Sequence, residues 1–454
     1  MKLVPENDSM GTVLVPEDAY FGPQTQRAVE NFPISGFTLP LSFIHSLALV
    51  KKYAAMINSE LGLLNGQISQ AVIQAADEVA EGKFDGQFVV DLFQTGSGTS
   101  TNMNMNEVIS SRANEKITGR KGGKTPVHPN DHVNLCQSSN DVIPSVIHIS
   151  ASLLIKEKLI PSLLSLSKAL SDKATEFRDI NKIGRTHLQD AVPVTLGNEF
   201  SGYARQIELG ISRINASREN LYELALGGTA VGTGLNAHPQ FAQKVINLLA
   251  QKTGIPFTEA KNHFSAQGAQ DACMEISGTL KTVAVSLVKI ANDIRWLSSG
   301  PRCGIGETNI PSLQPGSSIM PGKINPVIPE AVLQVAAQVI GNDTTIMICA
   351  QSGNFELNVM LPLLAYNLLQ SITLISSAAA VFAEKCITGI SANAAKCASD
   401  IEKSIALATL LVPYTGYDKA AAVAKKAYET GKTVKEIAEE EKLLSEEILN
   451  RLLK

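Results

Sequence analysis

"DACMEISGTLKTVAVSLVKIANDIRWL", residues 271 to 297, decides the fold class. In it Cys273, Ile276, Leu280, Val283, Leu287, Ile290, Ile294 and Leu297 succeed one another in alternating steps of three and four. That spacing stacks side chains along one face of a helix of about seven turns. A second apolar stripe, Ala284, Val285, Val288 and Ala291, flanks the first. The helix is therefore expected to bury more than one face, as helices inside a bundle do. Comparable stretches occupy 142–175, 194–226, 330–352 and 357–386, so five long helices and a mainly α chain are predicted. Residues 357–383 carry no charge and are long enough to cross a bilayer. Asn358, Pro362, Asn367, Gln370 and several Ser and Thr suit instead a helix enclosed by protein, and no membrane span is expected.

Outward from this centre the patterning changes. Residues 1–137 are shorter-ranged and rich in Gly, Asn and Pro, and read as a mixed N-terminal domain. Residues 138–386 form the central long-helix domain, and 387–454, ending "TVKEIAEEEKLLSEEILNRLLK", a small helical one. With 454 residues, 44% hydrophobic and 18% charged, the chain can bury large cores. Its net charge of -4 offers no basic face for nucleic acid, and Arg120, Lys121 and Lys124 read as a solvated turn. Six cysteines without CxxC spacing argue against a zinc site or a disulfide framework and fit a reducing cytoplasm. The opening "MKLVPENDSMGTV" has no apolar signal core.

Residues capable of chemistry gather where helix stops. The interruptions are "TGSGTSTNMNMNE" (95–107), "VHPNDHVNLCQSSND" (127–141), "IGRTHLQDAVP" (183–193) and "PGSSIMPGKINP" (315–326). The last is not a P-loop: five residues separate Gly316 from Gly322 where that loop has four, and Ile324 follows Lys323 where Ser or Thr would bind magnesium. "GSGTST", "GGTAVGTG" and "GIGETN" likewise complete no GxGxxG and read as tight loops. Hydroxyls, amides, one His, one Lys and many glycine N–H groups, without clustered carboxylates or thiols, make a set that binds carboxylate anions. The seven histidines contain no HExxH and no metal is expected. Taken singly, His128, Asp131 and His132 suit a capped turn, His187 a surface or capping position, and Glu330 a first-turn acid.

"GSSIMPGKINP" resembles the signature of the fumarase, aspartase and argininosuccinase superfamily. "GPQTQRAVENF", "TGSGTSTNMNMNEVI", "HPNDHVN", "QSSND", "GRTHLQDAVPVTLG", "GGTAVGTGLN", "FELNVM" and "GYDKAA" resemble class II fumarate hydratases in the same order over nearly the whole chain. Aspartate ammonia-lyase, the alternative within the superfamily, is similar in "STNMN" and "VIGNDTT". His187 stands where the ammonia-lyases carry Gln, and Ser139 where they tend to have Thr. Activating water needs a base near neutral pH, whereas ammonia brings its own lone pair. Two departures from the hydratase pattern are the looser "CAQSGNFELNVML" and Cys136, where many have Ser. A purely structural lens-protein descendant would have no reason to keep Ser317, His187 and Lys323 together.

The resemblance implies a three-domain fumarase/aspartase-like fold whose five-helix bundles join into the twenty-helix core of a homotetramer. It implies a cytoplasmic hydro-lyase of the tricarboxylic acid cycle, without cofactor or metal, that reversibly hydrates fumarate to (S)-malate. By resemblance Ser317 is the base, while His187 with Glu330 handles the water, near Thr186 and Asn140. Lys323 and Asn325 hold the substrate end whose charge grows, and Ser97, Thr99, Asn102, Ser138 and Ser139 bind the carboxylates. His128, Asn130 and Asp131 resemble a second dicarboxylate site. Each active site is expected to draw on three chains.

Overall fold

Helices carry nearly all of the regular structure in the computed structural model, which describes residues 2–452. An antiparallel hairpin of β1 (Leu3–Asp8) and β2 (Gly11–Pro16) opens the chain. The helices α1 (Pro23–Asn31), α2 (Leu41–Glu60), α3 (Gly66–Ala80), α4 (Thr99–Thr118) and α5 (Ser139–Leu154) follow, and α5 continues through one wide turn into α6 (Ile160–Glu176). A second hairpin, β3 (Asn181–Thr186) with β4 (Gln189–Thr195), precedes α7 (Leu196–Ser217), α8 (Phe241–Thr253) and α9 (His263–Gly268). Then come α10 (Asp271–Leu297), α11 (Val327–Ala350) and α12 (Leu361–Lys385), with five further α-helices among the described residues after 393. The fold is mainly α, as the periodicity predicted.

The predicted bounds of α10 are those observed, and its eight stripe residues are all buried. The flanking stripe departs from expectation: Ala284 and Ala291 are buried, but Val285 is 54% exposed in the single chain. The N-terminal region also differs, holding long helices of 20, 15 and 20 residues in α2, α3 and α4. Apolar residues surround α2 rather than lining one face, because α3, α5 and α8 all pack on it. A helix enclosed this way lacks the one-sided pattern that identifies a surface helix.

Two compact units share the chain. The first comprises Met1–Pro161, Ser212–Ala284 and Ala337–Ser376. In it Asn342 Nδ2 of α11 donates to Gln370 Oε1 and Ser371 Oγ of α12, at 2.9 and 3.0 Å. Asn358 is wholly buried and donates to the Cys349 carbonyl at 2.9 Å. α11 and α12 are both long and apolar enough to cross a membrane. These polar side chains are satisfied by neighbouring helices, as in a protein-enclosed helix. The second unit comprises Ser162–Ile211, Val285–Ala336 and Ser377–Lys454. There Tyr203 of α7 donates to Asp293 of α10 at 2.9 Å, and Leu407, Leu411, Val423, Ile437 and Leu449 form the core of the C-terminal helices.

Candidate active site

In the first unit the starts of α4 and α5 come together through hydroxyls. Ser97 Oγ lies 2.8 Å from Thr99 Oγ1, and Thr99 Oγ1 lies 2.6 Å from Ser139 Oγ. Ser139 Oγ continues to Asn140 Oδ1 at 3.4 Å, and Asn140 Nδ2 donates to the Ala230 carbonyl at 2.9 Å. Ser138 caps α5, and its own backbone N–H donates to Asp141 Oδ1 at 2.9 Å, completing a capping box. Two helix N-termini and a run of hydroxyls therefore face the same place, a suitable arrangement for a carboxylate. Gly96 fits the approach to this cluster because a Cβ there would lie 1.7 Å from the Val359 carbonyl oxygen.

Asp141 is a functional support that the sequence reading missed, although Ser138-Ser139-Asn140-Asp141 carries the Ser-x-x-Asp capping signal. Its Oδ2 accepts the N–H groups of Gly227 and Thr229 at 2.9 and 3.0 Å, tying the "GGTAVGTG" loop beneath the hydroxyl cluster. Lys51 was missed too, and no local pattern marks it. Its ammonium is completely buried and donates to Asn134 Oδ1 at 2.9 Å and Gln137 Oε1 at 3.0 Å. Asn134 Oδ1 also receives Asn102 Nδ2 at 3.1 Å. Asn102 thus spends its donor on this buried knot, while its Oδ1 is buried without a partner.

Burial pulls Lys51 from the ordinary lysine value of 10.5 down to about 7, against the opposing pull of Asp141. Between those two values the unfolded chain holds a proton that the folded chain has released, so stability contributed by this site rises with pH across that window. Lys51→Met removes the titration. The wild-type denaturation midpoint, measured against that of Lys51→Met, is expected to climb as pH rises from 7 to 9; a constant difference would mean that Lys51 stays charged.

His128 Nδ1 accepts the N–H groups of Asn130 and Asp131 at 3.2 and 3.1 Å, capping the turn 129–133, with Asp131 Oδ2 at 3.4 Å. The residues expected to form a second dicarboxylate site thus share one turn, Asn130 and Asp131 being exposed.

In the second unit Thr186 and His187 sit at the tip of the β3–β4 hairpin. His187 and Leu188 form its two-residue turn, both left-handed at φ 58° and 61°. The 315–325 segment is a closed loop: Gly316 N–H donates to the Lys323 carbonyl at 2.8 Å, and Asn325 Nδ2 donates to the Gly316 carbonyl at 2.6 Å. Only glycine suits position 316, since a Cβ would lie 2.3 Å from the Lys323 oxygen. Ser317 Oγ accepts the N–H groups of Ile319 and Met320 at 3.2 and 3.1 Å. The donors are the residues two and three positions on, which a serine in a turn reaches naturally. Lys323 is exposed and, among the described residues, its ammonium has no ion-pair partner. Glu330 lies in the first turn of α11. Neither His187 nor Glu330 forms a side-chain hydrogen bond or ion pair among the described residues, so one chain does not assemble that pair.

Known proteins share this arrangement of segments. A family model described as Lyase matches residues 11–341, and one described as Fumarase C C-terminus matches residues 407–454. The class II fumarate hydratase of Thermosynechococcus vestitus is 53% identical over 446 residues, covering 98% of this chain and 96% of its own. The mitochondrial fumarate hydratase of Rhizopus oryzae is 52% identical over 435 residues, covering 95% and 88%. The crystal structure of recombinant class II fumarase from Schistosoma mansoni superposes with a TM-score of 0.96 at 40% identity, covering 100% of this chain and 98% of that one. With most of its length inside the family model and half its residues identical to such relatives, the chain belongs to the class II fumarate hydratase family.

Proposed function

We propose that this protein is a fumarate hydratase interconverting fumarate and (S)-malate. The observation that carries the reading is the Ser317 hydroxyl, held in a glycine-closed loop and already accepting two backbone N–H groups. Donors so placed favour a negatively charged oxygen, which a serine base requires. In the dehydration direction the Ser317 alkoxide takes the C3 proton of malate. The electron pair moves into the adjoining carboxylate, giving an aci-carboxylate that Lys323 and Asn325 meet. The pair then returns to form the double bond as the C2–O bond breaks, and the departing hydroxide takes a proton from the group His187 governs. Ser97, Thr99, Asn102, Ser138, Ser139 and Asn140 receive the carboxylates, Thr186 adjoins the water, and Glu330 orients His187.

His187, rather than glutamine, favours water over ammonia as the added group. His128, Asn130 and Asp131 form the second dicarboxylate site. The protein acts in the cytoplasm within the tricarboxylic acid cycle, and its chain follows the division into domains at 137 and 386. Exposed apolar side chains on α10 to α12, among them Val285, Ile340, Met347 and Ile348, support assembly into a homotetramer. The test is absorbance of the fumarate double bond after adding malate or aspartate to purified protein. Malate is expected to yield fumarate at a rate unaffected by EDTA. Ammonia release from aspartate without malate turnover would replace the reading with an ammonia-lyase.

A further inference from the structure

The β3–β4 hairpin ends in a turn that its own residues do not favour. Two-residue turns of this kind normally use Asn-Gly or Asp-Gly, and here His187-Leu188 adopt the left-handed conformation without a glycine. The His187 imidazole has no hydrogen-bonding partner of its own among the described residues. Its direction is therefore set by the backbone, and the backbone is set by whatever holds the strands.

What holds them is a buried ionic cluster. Arg185, two residues before His187, donates through both Nη atoms to Glu307, at 3.0 and 2.9 Å. Lys182 Nζ lies 3.2 Å from the same carboxylate and 2.8 Å from Glu199 Oε1. Glu307 is completely buried. Its backbone is fixed on both sides: its N–H donates to the Leu297 carbonyl at 2.8 Å, and its carbonyl accepts the Asn393 N–H at 2.8 Å. Between the two cations the strand bulges at Gly184, where a Cβ would come within 2.7 Å of the Val192 oxygen. Lys182 and Arg185 thus meet one carboxylate from either side of that bulge, and the bidentate fork fixes an angle as well as a distance.

We infer that Glu307 is a positioning residue for His187, acting through the Arg185 fork on the turn that presents the imidazole. This rests on the proposed role of His187 in water activation. Glu307 touches no reacting atom; it keeps the hairpin tip in its strained conformation, so its loss misaims the imidazole without removing it.

The test is a double-mutant cycle. Arg185→Lys keeps the charge and breaks the fork, which avoids leaving a cation buried and unpaired as Glu307→Gln does. Arg185→Lys is expected to lower kcat for malate about 10-fold with KM changed less than about twofold, and to flatten the same limb of the pH profile as His187→Asn. Added to His187→Asn, the same substitution is expected to cost less than about twofold more, because the group it aims is already gone. An equal loss in both backgrounds overturns the inference and leaves the cluster a structural one. Hydrogen exchange separates this outcome from failure of the functional reading. In an enzyme that does not turn over malate, Arg185→Lys must still speed exchange at the 186–189 amides while leaving the α7 amides unchanged. Unchanged exchange at the hairpin tip overturns the positioning claim whatever the activity.

Discussion

Ser317→Ala lowers kcat for malate dehydration by about three orders of magnitude and leaves KM within about threefold. The asymmetry follows from where the groups sit. The Ser97, Thr99 and Ser139 hydroxyls proposed to receive carboxylates belong to the starts of α4 and α5 and are untouched by the substitution. The 315–325 loop keeps its closure, which depends on Gly316, Lys323 and Asn325. Only the oxygen that accepts the Ile319 and Met320 N–H groups is lost. Steady-state kinetics with malate checks the split. A mutant keeping a tenth of wild-type kcat would require a different base.

Mixing two dead enzymes is expected to restore life. Among the described residues of one chain His187 and Glu330 stand without side-chain hydrogen-bond or ion-pair partners, and under the tetramer reading the His187 hairpin and the Ser317 loop of one site come from different subunits. Ser317→Ala and His187→Asn proteins, unfolded together and reassembled, then produce some sites with neither defect. For equal amounts and random assortment about one quarter of sites are intact, so activity returns to about a quarter of wild type. Each parent carried alone through the same procedure stays inactive. Hybrid tetramers as inactive as their parents would place both residues in one chain and end the composite-site reading.

How far the fold could be read depended on whether an element's partners were local. α10 was legible to the residue because its eight stripe residues recur in steps of three and four and are all buried. α4 was not: Asn102, Asn104 and Asn106 look like loop residues, yet all three are buried in the helix. Asn104 donates to the Gln87 carbonyl, while Asn102 and Asn106 donate to Asn134. Nothing near them in sequence announces those acceptors. The β3–β4 hairpin was hidden because His187-Leu188 lacks the glycine that signals such a turn. The candidate residues of the 95–107 and 127–141 segments were legible as an anion-binding set, and Ser97, Thr99, Ser139 and Asn140 do meet. Lys51, which is bonded to Asn134 and Gln137, and Glu307, which holds the β3–β4 hairpin through Arg185, were illegible because a lone charge acquires meaning only from partners 83 and 122 residues away.

The hydroxyl run from Ser97 to Asn140 has a polarity, and it is a soft one. Between Ser97 and Thr99, and again between Thr99 and Ser139, either oxygen can supply the proton, and the last link to Asn140 is long at 3.4 Å. A carboxylate entering this place accepts only, so it turns the hydroxyls toward itself and gives up little in doing so. When it leaves, they turn back to one another. On the proposed reading, the cluster therefore meets a carboxylate of fumarate and a carboxylate of malate alike. For a catalyst that works in both directions, such indifference keeps neither ligand trapped.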